Sequence, residues 1–490
     1  MQSTTKTIAK NFSFLFLGNG ISGAINVLTA IYIARVLGAA TFGVFQFAIA
    51  FLIYLAIIVD SGMSMFGIRE VASNKFKAGS IVLNIFVVRF IASVLIYAIA
   101  ALIIVLLPTT IYFRTIFLLV FLQIFYRALN PEWVFQGLER TEFNALFRIL
   151  CSASTFALIF IFVPNEQHLL RIPLIQFSAG IIFTIFILIF LFTKILSVNI
   201  KMFNPRGWFS LFIIAFPLGA SALLTQIYSN LDVIMLGFIS KPEIVGFYSA
   251  AYQIFNVLLA AFFVWQATAI PTATRRILED KEKAKVFLEK YIRLTMLAII
   301  PAVVLIYLFS PIIIALCFGE GYFPAAGVLQ WLIWTMLPLV IGSTLGLLVL
   351  ISAGKYGYYF WAGAAGATIN FILNMLLIPQ YNMYGAAFAT IVAECLACLV
   401  AFYFARKVLR LNLLSNMLAP LCVGCLALLI NVFVVVYGVG YGQNICAFIS
   451  GSIFVAIYLI FLLVFERKLL VSLAREILSR FLVRQNVIEV

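Results

Sequence analysis

Three arginines sit where a cation is expensive. Arg89 lies about nine residues inside an apolar run over 80–107, Arg127 about nine before the end of a run over 113–136, and Arg148 about five into a run over 143–163. On an insertion scale an Arg near the centre of a membrane helix costs about 2.5–3.5 kcal/mol, so the group represents several kcal/mol that something must offset. Two arrangements would do so: a water-filled cavity, or pairing with nearby acids such as Asp60 and Glu132. The cavity is favoured for Arg89 and Arg127; Arg148 is shallow enough that snorkelling and the cavity are equally open, and it stays in the candidate substrate-binding set. Guanidinium forks match phosphate oxygens bidentately, so arginines in a cavity would suit an anionic substrate such as a phosphate or pyrophosphate. Arg35, at the end of the first apolar run, is an interfacial anchor or one more member of that basic wall.

The second half of the chain offers acids instead. Asp232 lies in a run over 209–238 and Glu394 near the middle of one over 384–405; with Asp60 they are the candidates for ion coupling. A carboxylate out of water can carry a proton or bind Na⁺ beside amide oxygens, and it can equally serve as an interhelical hydrogen-bonding group. Polar uncharged residues recur at helical spacing: Asn19 and Asn26, Gln226 and Asn230, Asn370 and Asn374. Such residues are helix glue or ligands; Asn26, Asn370 and Asn374 join the candidate substrate-binding set.

Other chemistry is excluded. The cysteines of Cys395/Cys398 and Cys422/Cys425 have no His or acidic cluster beside them and fall within helices, so they read as packing residues and no metal site or cofactor is expected. The single histidine, His168, reads as a solvated loop residue, and no loop is long enough to fold as a soluble catalytic domain.

The elements that position these residues are set by composition. Of 490 residues 65% are hydrophobic and 10% charged, which rules out a soluble globule. Fourteen apolar runs are long enough to span a bilayer: 12–34, 41–62, 80–107, 113–136, 143–163, 173–195, 209–238, 243–270, 290–316, 325–350, 357–378, 384–405, 414–437 and 444–465. The net charge of +15 does not call for a nucleic-acid partner, because it maps onto alternate loops. One set holds, among others, Lys6, Lys10, Arg69, Lys75, Lys77, Lys194, Lys201, Arg275, Arg276, Lys281, Arg406 and the tail cations from Arg467 to Arg484; the other holds only Arg35, Arg114, Arg171 and Lys241. This asymmetry predicts that both termini are cytoplasmic. Two basic stretches with apolar residues at helical spacing, 271–293 and 466–484, are expected to lie along the inner headgroups.

The sequence also echoes itself. Val36-Leu37-Gly38 followed by Gly43-Val44-Phe45 is answered by Met235-Leu236-Gly237 followed by Gly246-Phe247-Tyr248, and Tyr112-Phe113 running to Gln123 by Tyr322-Phe323 running to Gln330. The period is six helices. An even period predicts two six-helix lobes in one orientation, related by a pseudo-twofold along the membrane normal. The expected fold is therefore all-α and polytopic: a lobe over 1–200, a lobe over 201–410, and two extra helices with a basic tail over 411–490.

Several segments, in order, resemble recurring patterns of the polysaccharide-unit flippases of the multidrug/oligosaccharidyl-lipid/polysaccharide exporter superfamily. They are Asp60-Ser-Gly62 with Gly67-Ile-Arg69-Glu70, Pro131-Glu-Trp133 to Glu139, Asp232 to Gly237 with Gly246-Phe-Tyr248-Ser-Ala-Ala, Phe318-Gly319-Glu320, and Asn374 to Pro379 with Tyr384-Gly385-Ala-Ala and Glu394. The resemblance implies a non-enzymatic, alternating-access transporter of the bacterial inner membrane. Its substrate would be an undecaprenyl-diphosphate-linked oligosaccharide passed to the outer leaflet, its coupling ion H⁺ or Na⁺, and its pathway partners a polymerase and chain-length machinery. A drug or cation exporter of the same fold is the first rival and would want an acidic, arginine-poor cleft. A membrane polymerase or glycosyltransferase is the second.

Overall fold

In lipid, an apolar run of about 20 residues can satisfy its backbone polar groups within itself only as a helix. The computed structural model describes residues 2–74, 78–198, 202–437 and 443–467, and among them there are helices, turns and no strand. Lys75, Lys77, Lys201 and the tail beyond residue 467 lie outside the described residues, as do the side chains of Lys6, Lys10 and Gln226. Eleven helical segments of the described residues are long and apolar enough to cross a membrane. The chain is an all-α, multi-pass membrane protein.

Two of these segments are far longer than a bilayer needs, and each is broken once. α1 (Gln2–Asp60) is interrupted at Gly38, whose φ of 72° suits a residue without Cβ. α2 (Met63–Ser73) follows the left-handed pair Ser61 and Gly62, and α3 (Ala78–Leu106) is one uninterrupted helix. The single helix expected over 113–136 is three: α4 (Ile111–Phe121), α5 (Gln123–Leu129) and α6 (Glu132–Gly137). Pro131 is the cause, because it has no N–H to give the carbonyl of Arg127 four residues back. Asn130 leaves the helix there, and its Oδ1 accepts from the Glu132 N–H at 3.0 Å.

Then come α7 (Thr141–Phe162), α8 (Arg171–Phe190), α9 (Trp208–Ile239), α10 (Pro242–Glu279) and α11 (Lys281–Phe318). The stretch 271–293 is not a separate surface helix, for it consists of the end of α10 and the start of α11. Between them Asp280 accepts from the backbone N–H groups of Glu282 (3.0 Å) and Lys283 (3.2 Å). The Lys283 N–H, helped by its ammonium group, holds the Asp280 carboxyl below the usual carboxylate range. The chain closes with α12 (Pro324–Leu332), α13 (Met336–Ser343), α14 (Tyr356–Val408), α15 (Leu413–Tyr437) and α16 (Gln443–Phe465). α14 is broken at Asn382 (φ 49°), three residues after Pro379.

These helices pack as two compact units. The first comprises Met1–Val264, Cys317–Val328 and Gly363–Ala393; the second comprises Trp265–Leu316, Leu329–Ala362 and Glu394–Val490. In the first, Met63, Val82, Ile85, Trp133, Phe135 and Leu191 are buried together, while Leu95, Ile99 and Leu102 of α3 are exposed as a lipid-facing stripe would be. In the second, Arg293 holds Glu466 at 2.6 Å, and the Tyr458 hydroxyl donates to the Leu297 carbonyl at 2.7 Å.

Within the first unit the two echoing segments meet reciprocally. A Cβ on Gly43 would run into the Pro242 carbonyl oxygen, and a Cβ on Gly246 would run into the Ala39 carbonyl oxygen. Gly43 and Gly246 are 203 residues apart, and so are Ala39 and Pro242. The two close approaches mirror each other, as the two halves of an isologous contact do. Tyr322 covers this crossing: its hydroxyl donates to the Ala34 carbonyl at 2.8 Å, and its ring lies edge-on to Phe42 and Phe247.

Candidate functional site: a guanidinium pocket and a buried carboxylate

The three arginines have three different fates. Arg89, 6% exposed, is paired: its Nε lies 3.4 Å from Asp60 Oδ1, too poorly aimed for a hydrogen bond, while Nη1 donates to Ser64 Oγ at 3.2 Å. Its Nη2 donates to the Arg127 carbonyl at 2.9 Å, the oxygen that Pro131 leaves without a helical donor. Ser64 Oγ in turn donates to Asp60 Oδ1 at 2.5 Å. The guanidinium of Arg89 thus serves as a buried brace across α1, α2, α3 and α5, and Asp60 is matched by a cation. Arg148 is clamped on Glu132, Nη2 at 2.5 Å from Oε2 and Nε at 3.2 Å from Oε1, with Nη1 donating to Asn19 Oδ1. Asp60 and Glu132 are the partners that the sequence offered as the alternative to a cavity.

Arg127 has no carboxylate within 4 Å among the described residues, and its Nε is buried without a hydrogen-bond partner. Its guanidinium carbon stands 5.9 Å from the Tyr126 ring centre and lines a cavity of about 330 Å³ in the first unit. Among the described residues the cavity wall carries no acid: Asn26, Gln46, Gln123, Thr155 and Gln176 share it with Arg127, and Ile33, Phe42 and Phe45 give it an apolar side. Gln123, 2% exposed, donates to Gln176 Oε1 at 2.9 Å and accepts from the Tyr126 hydroxyl at 3.2 Å. Such a wall offers one fixed positive charge with amides and hydroxyls around it, suited to an anionic or polyhydroxylated group. Arg35 is elsewhere, exposed, with Nε donating to the Cys317 carbonyl at 2.6 Å.

A second polar cluster lies deeper in the same unit. Asp232, 6% exposed, accepts from the Tyr248 hydroxyl (2.6 Å), the Thr390 hydroxyl (2.7 Å) and Asn374 Nδ2 (2.6 Å). Asn374 Nδ2 also donates to Asn370 Oδ1 at 3.1 Å, and Asn374 Oδ1 is buried without a partner. No Lys or Arg pairs with Asp232 among the described residues. A buried carboxylate surrounded by neutral donors and amide oxygens has the composition for holding a proton or a small monovalent cation. Asn370 and Asn374, expected at the substrate, are thus brought to Asp232 and not to Arg127. Glu394 is half-buried and belongs to the second unit.

Sequence reasoning passed over Gln123, Gln176, Tyr248 and Thr390. Tyr248 carried a usable signal, because it stands in the repeat where the other copy has Phe45. The glutamine pair carried none, since nothing in the spacing of 123 and 176 brings them together.

The fold and these sites define a class: a polytopic helical membrane protein with a polar-lined pocket and a hydrogen-bonded carboxylate buried among its spans. The pattern of the polysaccharide biosynthesis protein family matches residues 8–276, and the chain belongs to that family. A protein of Escherichia coli strain K12 named as an O-antigen transporter is 25% identical over 420 residues, covering 83% of this chain and 99% of its own length. The capsular polysaccharide biosynthesis protein CapF of Staphylococcus aureus is 22% identical over 82% of this chain and all of its own. In fold the chain is similar to the lipid II flippase MurJ in an inward closed conformation, with a TM-score of 0.76 at 15% identity over 93% of this chain and 99% of that one.

Proposed function

We propose that the chain is a flippase that moves an undecaprenyl-diphosphate-linked oligosaccharide repeat unit, of O-antigen, capsule or exopolysaccharide, from the cytoplasmic to the outer leaflet of the bacterial inner membrane. Family membership and relatives named as transporters and flippases support the class. Arg127 carries the site: an uncompensated guanidinium on a polar wall among apolar spans costs several kcal/mol unless water or an anionic ligand meets it. In this reading the polar head passes the Arg127 pocket, with Asn26 and the glutamines facing sugar hydroxyls, while the polyprenyl tail stays in lipid. Arg89 and Arg148 hold the helices that form the wall, and Arg35 acts away from it.

The halves 1–200 and 201–410 alternate in access, with 411–490 appended. Fourteen crossings, counted as the eleven spans, two of them divided at Gly38 and Asn382, together with α9, would leave both termini on one side, and the basic residues of alternate loops make that side the cytoplasm. Asp232, with Asn370, Asn374, Tyr248 and Thr390, takes up the driving ion, H⁺ or Na⁺. Asp60 has its charge matched by Arg89 and drops from that role; Glu394 stays as a secondary candidate. The polymerase and chain-length machinery of the same pathway would receive the product.

The test is polysaccharide export in a strain whose own flippase is deleted and which this chain complements. Arg127→Ala should abolish export at unchanged membrane abundance. Full rescue by Arg127→Lys would refute bidentate recognition while sparing simple charge attraction. Export by Arg127→Ala at the wild-type level would refute the site.

A further inference from the structure

The reciprocal glycine crossing and the buried carboxylate are joined by a single turn of helix. Gly246, whose lack of Cβ lets α10 touch the Ala39 carbonyl, is two residues from Tyr248, whose hydroxyl donates to Asp232 Oδ2 at 2.6 Å. On the other side of the carboxylate, Gly237 of α9 lies one and a half turns beyond Asp232, where a Cβ would strike the Phe47 ring. Both helices that meet α1 at this seam are therefore tied to one carboxylate, and Tyr248 is the tie on α10. Tyr248 is itself completely buried, so its hydroxyl has no water to replace that acceptor. In the first copy of the repeat Phe45 occupies the place of Tyr248 and cannot make such a tie.

We infer that Tyr248 is a positioning residue through which the state of Asp232 sets the seam between Ala39–Gly43 and Pro242–Gly246. The inference rests on the proposed coupling role of Asp232. With a bare carboxylate, the Tyr248 hydroxyl makes a charge-assisted bond and holds the first turn of α10 against Ala39. A proton or Na⁺ on Asp232 removes that charge, the bond weakens, and the seam is released. The groups facing Asp232 are Tyr248 of α10, Tyr54 of α1, and Asn370, Asn374 and Thr390 of α14, with Tyr252 beside Tyr248. None of these is a cation, so the charge on Asp232 is set by the ion itself.

Cys317 reports on the seam, since its carbonyl accepts from Nε of Arg35, four residues before Ala39, and it is half-buried. The experiment measures alkylation of Cys317 by a water-soluble maleimide in the full chain in nanodiscs, read at that residue by mass spectrometry, with choline or sodium as the cation and at neutral or acidic pH. In wild type, sodium or acid should speed labelling by about tenfold relative to the same thiol in the denatured chain at the same pH, a reference needed because acid itself withdraws the reactive thiolate; tenfold is the order expected for loss of one charge-assisted hydrogen bond. Tyr248→Phe and Asp232→Asn should label fast under every condition. If Tyr248→Phe responds to the ion as wild type does while Asp232→Asn does not, the coupling role of Asp232 stands and the tie through Tyr248 is refuted. If wild type responds to neither sodium nor acid, both fall.

Discussion

The pocket at Arg127 and the cluster at Asp232 lie at related places in the repeat and are built oppositely. Phe42 and Phe45 of the first copy line the Arg127 pocket, and in the second copy Tyr248 stands where Phe45 does and bonds to Asp232. The first place keeps an open cavity of about 330 Å³ with a free cation and no acid on its wall; the second is filled with hydrogen bonds and holds an anion without a cation. An open, polar, positive wall suits a large ligand that comes and goes. A closed shell of neutral donors suits a proton or a small ion. The difference teaches that two segments with echoing sequences carry opposite polar sites, and that a few side chains set which is which.

The comparison can be broken most sharply at Arg89. Arg89→Ala would leave Asp60 without its cation and the Arg127 carbonyl with only the long bond from the Asn130 N–H, and breaking a buried pair in this way costs about 3–5 kcal/mol. A large drop in Tm is expected, relieved in part by adding Asp60→Asn. Arg127→Ala should do the opposite, keeping Tm within about 1 °C of wild type, because its side chain supports no hydrogen bond of the fold. Equal Tm losses for the two variants would erase the distinction between brace and binding group.

Asp232→Asn sharpens the other side. It should abolish the dependence of transport on sodium or pH, measured as flux under an imposed gradient, while binding of the lipid-linked substrate is retained. Loss of substrate binding in that variant would merge the two sites into one. The smallest effect is expected at Asp280, which belongs to the second unit and to neither site. Its carboxyl is held below the usual range by N–H donors of α11, so the cap is intact above the unfolded carboxylate range and is lost as pH falls through the folded value. Asp280→Ala should raise hydrogen exchange at residues 281–284 at neutral pH and remove its dependence on acid, with export unchanged.

Much of this was legible from residue types. Apolar length gives the spans, and the Gly43/Gly246 echo marks two segments that the structure brings together in a reciprocal crossing. Asp60 and Glu132 were already visible as partners for arginines of other helices. Which arginine remains free was not legible, because that depends on Pro131 withdrawing a donor from the Arg127 carbonyl and on Arg89 reaching across to fill it. The gathering of Asp232, Tyr248, Asn374 and Thr390 was equally hidden, for those residues span 158 positions of sequence and only tertiary packing joins them. Hydrophobic periodicity locates helices in a bilayer but carries little information on which polar faces turn toward each other.

The central claim is that the free guanidinium of Arg127 meets the polar head of the transported lipid. Its most direct test is leaflet exchange of a fluorescent polyprenyl-diphosphate-linked oligosaccharide in proteoliposomes containing the purified chain. Arg127→Ala at wild-type Tm should slow exchange by at least tenfold, as expected for losing a charged hydrogen-bonding partner. Exchange at the wild-type rate in that variant would contradict the account.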